Sequence, residues 1–393
     1  MSYAALFLRF LKFGFMAFGG PVAQIGMLRR ELVEEEAWMS GARFNRLLAI
    51  LQVLPGPEAH ELSVHLGMRA KGRWGGILAG LGFMLPGFVL MLILSGLYFL
   101  IDFDRSWIGA AFLGVQAAVV ALIVRAAHRI GQHILLDRWT WGIAAGSLIA
   151  TLFGVSFWLT LPAAGLIYAL AAEGRPRLAV LGSGLVVVAG VGLVLIIPSQ
   201  SLQGSAALVA TAPGDVSALV LFLSGLKAGL LTFGGAYTAI PFLRADAVRH
   251  GWMSDGQFLD GLALSGVLPA PLIIFSTFIG YVAGGLPGAF AITAGIFLPA
   301  FAFSLIFYDR LEILVEAEGV KAILEGVAAG VVGLIAATAL QLIHGLLSPA
   351  DSAPLLPVIG VAALMACYLW KSKFAPPIIL GLAGIAGAFV LAS

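Results

Sequence analysis

Long apolar runs, interrupted by glycine and proline and joined by short polar loops, organise this chain from end to end. A helix needs about twenty predominantly apolar residues to cross the hydrocarbon core of a bilayer, and thirteen stretches approach that length. In the first part they fall near 5–27, 44–66, 75–101, 107–126, 140–156 and 157–172. One more lies near 178–197, and six follow near 217–242, 257–282, 286–308, 321–343, 354–370 and 375–392. The pattern predicts an all-α polytopic membrane protein with about 13 transmembrane segments.

These runs are not independent of one another. Ala17-Phe-Gly-Gly20 returns as Thr232-Phe-Gly-Gly235, Trp38-Met-Ser40 as Trp252-Met-Ser254, Leu54-Pro-Gly-Pro57 as Leu268-Pro-Ala-Pro271, and Leu85-Pro-Gly-Phe88 as Leu298-Pro-Ala-Phe301. Spacing between the blocks is kept to within single residues, so the chain reads as a first repeat over 1–172, a linker with an unpaired segment over 173–215, and a second repeat over 216–393. An odd segment between two six-segment halves turns the second upside down, which gives two inverted repeats with discontinuous helices.

Charge tests the arrangement, because Lys and Arg in short loops stay cytoplasmic. An N-terminus inside places Arg69, Lys71, Arg73, Arg125, Arg129, Arg138, Arg175, Arg177, Arg244, Arg249, Arg310, Lys321, Lys371 and Lys373 inside as well. The 28–46 loop disagrees: it carries Arg29, Arg30, Arg43 and Arg46, nearly balanced by Glu31, Glu34, Glu35 and Glu36. A 44–66 segment that re-enters without crossing reverses the assignment of the N-terminus, and both arrangements stand at this level. With 61% hydrophobic and 11% charged residues the bilayer is the solvent, and a net charge of +2 with dispersed basic residues argues against a nucleic-acid role. Cys367 is the single cysteine, so no internal disulfide forms, and Arg9 and Lys12 inside the first run argue against a removable signal peptide.

The duplicated breaks carry the candidate chemistry. Pro55, Gly56 and Pro57 stop any helix that reaches them, and at membrane depth such a break is tolerated only against protein or a water-filled cavity. The helix that restarts near Pro57 points free N–H groups and a positive dipole end into that cavity, as does the one behind Gly19, Gly20 and Pro21. Gly234, Gly235, Pro269 and Pro271 repeat both devices. Lys12 and Lys227 hold equivalent places before the two Gly-Gly breaks, where an ammonium either faces the interior and meets an anion or, for Lys12, snorkels to the interface with Arg9 and, for Lys227, pairs with an acid. Arg29 and Arg244, also matched, would flank the entrance. Glu58, Glu61 and His65 share one helical face after the break, with His60 turned away. Their counterparts are apolar, so a proton-coupling role belongs to one repeat only; Glu58 is equally an ordinary first-turn capping acid.

Other charged positions carry less. Arg125 and His128 suit interface anchoring, Asp260 the entry turn of its helix, and Lys321 with Glu325 an intrahelical pair. Gly76 and Gly80 suit close helix packing. No Gly-x-x-x-x-Gly-Lys-Ser/Thr loop is present, which excludes ATP hydrolysis by this chain as the energy source, and no catalytic, metal or cofactor site is expected.

The run from Phe18-Gly-Gly-Pro-Val-Ala-Gln24 through Arg30-Glu-Leu-Val-Glu34, then Leu54-Pro-Gly-Pro-Glu-Ala59 and Trp74-Gly-Gly76 through Leu85-Pro86, resembles the chromate ion transporter family in its long, two-domain form. The resemblance implies a bacterial inner-membrane carrier that expels chromate, with proton coupling. His60-Glu61 stands where the family pattern has amide side chains. The expected partners are chromate or a sulfate-like oxyanion, protons and the lipid bilayer, with a homodimer left open. Two alternatives remain: an uptake carrier or channel for sulfate or another oxyanion, and, more remotely, an intramembrane lipid-modifying enzyme, for which no His-Glu-x-x-His or Gly-x-Ser-x-Gly motif is present.

Overall fold

The computed structural model describes residues 1–51, 54–101, 106–182, 216–233, 235–306, 318–347, 355–370, 372 and 374–390. The unpaired segment expected near 178–197 lies outside the described residues from 183 onward, as do Gly234, Lys371, Lys373 and the last three residues. The helices of the described residues are, in chain order, α1 (Tyr3–Phe15), α2 (Gly20–Arg29, prolonged by a π turn over Arg30–Glu35), α3 (Gly41–Leu51), α4 (Glu58–Tyr98), α5 (Ser106–Ile134), α6 (Arg138–Leu152) and α7 (Phe157–Ala172), then α8 (Ala218–Leu230), α9 (Ile240–Arg249), α10 (Asp255–Val267), α11 (Phe275–Ile306), α12 (Glu318–Leu347), α13 (Leu356–Leu369) and α14 (Ala375–Val390). Among the described residues the sole β pairing is one antiparallel bridge, Pro55 to Phe233. The described residues form an all-helical structure, as the apolar runs predict.

Among the described residues, length and composition make four stretches capable of crossing a membrane: Glu58–Tyr98, Trp107–Ile134, Leu272–Ile306 and Lys321–Leu347, with shorter apolar helices at Phe157–Ala172, Ala218–Leu230, Leu356–Leu369 and Ala375–Val390. Their surfaces fit lipid. Leu81, Leu85, Val89, Ile93 and Leu97 recur every fourth residue along α4 and are all exposed, which is the stripe a helix turns toward acyl chains. Trp74, Trp107, Trp141 and Trp158 are exposed close to the start of a helical arm, where indole rings sit at the headgroup level.

Neither α4 nor α11 is one straight rod. Lys71 and Gly72 leave helical geometry, Gly72 at φ +63°, and Gly284 and Gly285 repeat the departure with Gly285 at φ +59°. Each helix folds back there on itself. Gly76 lies so close to the carbonyl of Val64 that an added Cβ would sit 3.0 Å from it, and Gly67 meets Gly75 and Ala79 with no room for a side chain. Gly280 meets Gly288 in the same way in α11. Both are therefore hairpins with a short arm (58–70 and 275–283) and a long arm (73–98 and 286–306). Glycines let the two backbones approach, the usual source of cohesion where lipid removes the hydrophobic drive between helices.

The chain contracts into two compact units, one of residues 1–125, 210–309 and 345–393 and one of 126–209 and 310–344. In the first, α1 packs on α4, α8 on α11, and α4 on α11. Gly14 abuts the Phe83 carbonyl and Pro86, and Gly229 abuts the Ile296 carbonyl and Pro299, so the two pairs use the same contact. The long arms of α4 and α11 run antiparallel: Gly80 meets Phe301 and Gly76 meets Leu305 near one end, while Phe88 meets Phe290 toward the other. In the second unit, Ile143, Ala164 and Ala329 form the core, and Gly333 and Gly326 admit α6 and α7 against α12. Asp137 caps α6 in a reciprocal capping box and accepts the Tyr168 hydroxyl at 2.8 Å.

Four expected single spans turn out to be broken and folded back. Stretch 5–27 is α1 and α2, 44–66 is α3 and the short arm of α4, 217–242 is α8 and the turns leading into α9, and 257–282 is α10 and the short arm of α11. Their outer ends return to a common level. Lys71 lies over the Tyr3 ring, Arg69 donates to the Trp38 carbonyl at 3.3 Å, and Arg9 reaches Glu36. At the opposite end Val216 donates to the Ala283 carbonyl at 3.2 Å and Arg244 pairs with Asp255. The apolar length of each stretch is right for a span, but the proline and glycine at its middle let the chain reverse there.

Candidate functional site

The four reversals converge. Gly56 donates its N–H to the Thr232 carbonyl at 2.8 Å beside the Pro55–Phe233 bridge, so the Pro-Gly-Pro break of the first half is tied to the Thr-Phe-Gly break of the second. The reciprocal tie is made by Gln24, 1% exposed, whose Nε2 donates to the carbonyls of Ala17 at 2.8 Å and Ala270 at 3.2 Å. Ala17 belongs to the first Gly-Gly break and Ala270 to the Pro-Ala-Pro break. Carbonyls freed by broken helices are thus satisfied across the repeat, as burial demands.

Helix starts face this crossing with different caps. Gly19, in the left-handed region, caps α2, with Gly20 and Pro21 as its first residues; Pro57 caps α4, which begins at Glu58. In the second half Gly235 and Pro271 cap short 3₁₀ turns, Ala236–Ala239 and Leu272–Ile274, that lead into α9 and α11. Pro55 and Pro269 sit one turn outside the restarts.

Glu61 is fully buried, and neither carboxylate oxygen has a hydrogen-bond partner among the described residues. Its Oε1 occupies the space beside Gly56, where a Cβ would lie 2.6 Å away. His60, turned to the other side, is also fully buried and clasped edge-on by Phe297 at 4.8 Å and Phe301 at 4.7 Å. Glu58 is buried and His65 half-buried. A buried carboxylate without a partner is expensive when ionised, which sets Glu61 apart from the paired acids of the structure.

The cations expected around the breaks are distributed otherwise. Lys227 pairs with both carboxylate oxygens of Asp246, which also accepts the Ser224 hydroxyl at 2.5 Å. Lys12, its counterpart, is exposed in the last turn of α1. Arg29 is bound to Glu34 at 3.0 Å and Arg244 to Asp255 at 2.8 Å, so both matched arginines face acids. Arg9 stands in a pocket of about 440 Å³ lined by Met1, Glu36, Trp38, Arg69 and Ala70, donating to Glu36 and lying 5.3 Å over the Trp38 ring. That hydrogen bond holds the Glu36 carboxyl below its usual value. Gln24 and Asp246 escaped the sequence reading. Asp246 is placed by a lysine nineteen residues upstream, and only the helix reversal brings the two together.

A buried crossing of interrupted helices within an apolar helical bundle, carrying paired charges and an unpartnered acid, suits a membrane transporter. The chain belongs to the chromate transporter family, whose model matches residues 4–171 and 219–388. It is 61% identical over 393 residues to a chromate transport protein of Pseudomonas aeruginosa, covering 99% of this chain and 93% of that one. It is 30% identical over 392 residues to a probable chromate transport protein of Synechococcus elongatus, covering 96% of this chain and 93% of that one, and 30% identical over 383 residues to a chromate transport protein of Cupriavidus metallidurans, covering 96% and 91%. No solved structure matches it.

Proposed function

We propose that this protein exports chromate across the bacterial inner membrane by secondary active transport, with proton coupling through Glu61. The observation that carries the reading is the crossing of four chain breaks, held by Gly56 to Thr232 and by Gln24 to Ala17 and Ala270. Broken-helix N-termini offer N–H donors and positive dipole ends to an oxyanion at that point. Lys12 supplies further positive charge, the Lys227–Asp246 pair is close to neutral, and Arg29 and Arg244 flank the approach. Chromate is preferred as substrate because it is the ion named for each of the three relatives. The antiparallel long arms support an inverted duplication, with the linker segment reversing the second half. Reversal of the first four arms puts the 28–46 loop, the N-terminus and the 69–73 turn at one end, so their basic residues all obey the positive-inside rule together.

Energetics favour outward movement. A membrane potential, negative inside, is worth about 2.3 kcal/mol per charge per 100 mV, hence about 4.6 kcal/mol for expelling a dianion. Glu61 adds a proton dependence: an ionised carboxylate beside the crossing repels the dianion, and a protonated one does not. The test is chromate and sulfate flux in proteoliposomes, with a pH gradient and a potential imposed separately. Wild type should respond to both. Glu61→Gln should keep its response to potential and lose its response to the pH gradient, and Glu58→Gln should change less. A normal pH response in Glu61→Gln refutes the coupling role. Sulfate uptake faster than chromate export would establish the alternative substrate reading.

A further inference from the structure

We infer that Asp260 is a second proton-binding site, built across the seam between the two halves and separate from Glu61. Asp260 is 4% exposed in α10 of the second half, yet its partners come from the first: the Tyr98 hydroxyl from the long arm of α4 donates to Oδ2 at 2.7 Å and the Gln116 amide from α5 donates to Oδ1 at 2.8 Å. Phe278 and Phe112 stand edge-on to the Tyr98 ring at 5.1 and 6.1 Å and fix its position.

The choice of partners decides the chemistry. Most of the other well-buried or helix-bound acids in this half hold a cation: Asp246 has Lys227 and Asp255 has Arg244. Asp260 has two neutral donors, and no Lys, Arg or His contacts it among the described residues. A phenol and an amide each donate and accept. The hydroxyl can rotate and the amide can turn over, so they can partner both the carboxylate and the neutral carboxylic acid, the ionised form by the stronger bonds; an ammonium or guanidinium partner would hold only the ionised form. Around it, α9 carries Arg244, Asp246 and Arg249, with Arg244 on Asp255, Asp246 on Lys227 and His250 just beyond the helix end at the Asp246 carbonyl; α11 carries Tyr281, tilted against Phe99; α14 carries no titratable side chain. A duplicated packing role is ruled out by the sequence, since Asp260 falls opposite Arg46 in the register of Trp38 with Trp252 and Pro55 with Pro269.

The site lies at the end of the bundle opposite Tyr3 and Lys71, five residues into α10. Its proton therefore comes and goes from the side that Glu36 and Arg69 do not face. Protonation replaces two charge-assisted hydrogen bonds between the halves by neutral ones, each weaker by roughly half, so the tie between α10 and the first half loosens when the proton is on.

A role for that loosening in transport rests on the proton-coupled reading above; the site itself does not. The test is infrared difference spectroscopy of the full-length protein in lipid as pH is stepped, following the carbonyl band of protonated buried carboxyl groups. Asp260→Asn should remove one titrating band and leave the Glu61 band, which Glu61→Gln removes in turn. Tyr98→Phe deletes a donor to the ionised form and should move the Asp260 midpoint to higher pH, by about tenfold in proton affinity. Should Asp260→Asn fail to assemble, Tyr98→Phe decides alone. An unchanged set of bands in Asp260→Asn, or an unmoved midpoint in Tyr98→Phe, overturns the inference. A lost band combined with flux indifferent to the pH gradient upholds the proton site and refutes the coupling reading.

Discussion

The short arm of α4 and the short arm of α11 occupy matching places in the two halves, yet one carries acid and imidazole where the other is oily. Glu58, His60 and Glu61 face Leu272, Ile274 and Phe275 in register. The same contrast recurs at the first reversal, where Gln24 bridges two breaks and its counterpart Ala239 cannot. Lys227 is paired, Lys12 exposed. The two halves share most of the glycines and prolines of each hairpin and break, which the backbone needs, and differ in side-chain chemistry. Two identical halves would bind a proton and an anion symmetrically; unlike halves can give the proton to one and the structural ion pair to the other.

The largest effect expected from breaking this contrast is at Gly56. It has φ +150° and Glu61 against it, whereas its counterpart is already Ala270. Gly56→Ala should cost about 1–3 kcal/mol in stability through a disallowed backbone and displace the Glu61 carboxylate, abolishing measurable chromate flux. Ala270→Gly should leave most of the flux intact. Equal losses in both variants would show that the two crossings are functionally alike.

Next comes the ion pair. Asp246→Ala removes the carboxylate bound to the mostly buried Lys227 ammonium and should destabilise by about 3 kcal/mol, read as a lower thermal midpoint in detergent. Lys12→Met should leave that midpoint within a degree or two, because an exposed lysine has no acid to strand, while weakening chromate affinity. A thermal loss in Lys12→Met as large as in Asp246→Ala would show that Lys12 is held too.

The hairpin turns should instead behave alike. Gly72→Ala and Gly285→Ala each force a side chain into the left-handed region, at about 1 kcal/mol apiece, with little to collide with at either position. Thermal midpoints that differ strongly between them would break the equivalence of the two turns.

The smallest effect is the acid dependence of Glu36, whose carboxyl is held below its ordinary 4.5 by the hydrogen bond from Arg9. A lowered folded value means the contribution is complete above pH 4.5 and is lost as pH falls through the folded value. Because the side chain is 43% exposed, solvent screens most of it. The thermal midpoint should fall slightly more steeply with acid in wild type than in Glu36→Gln, and matching slopes would remove the pair from the account of stability.

Apolar runs, the repeat register and the Gly/Pro breaks are local properties of the chain, and they are sufficient to determine an all-helical membrane protein with interrupted, duplicated helices. The asymmetric acids at Glu58 and Glu61 were legible for the same reason, since register alone sets polar against apolar. Tertiary structure alone decided whether a broken run crosses or returns, because a helix stop has the same sequence signature in either case and only packing against another arm selects the direction. It also decided the partners. Lys227 with Asp246, Gln24 with Ala270, and Asp260 with Tyr98 and Gln116 are separated along the chain by 19 to 246 residues, and a buried charge reveals its role only through the groups that surround it.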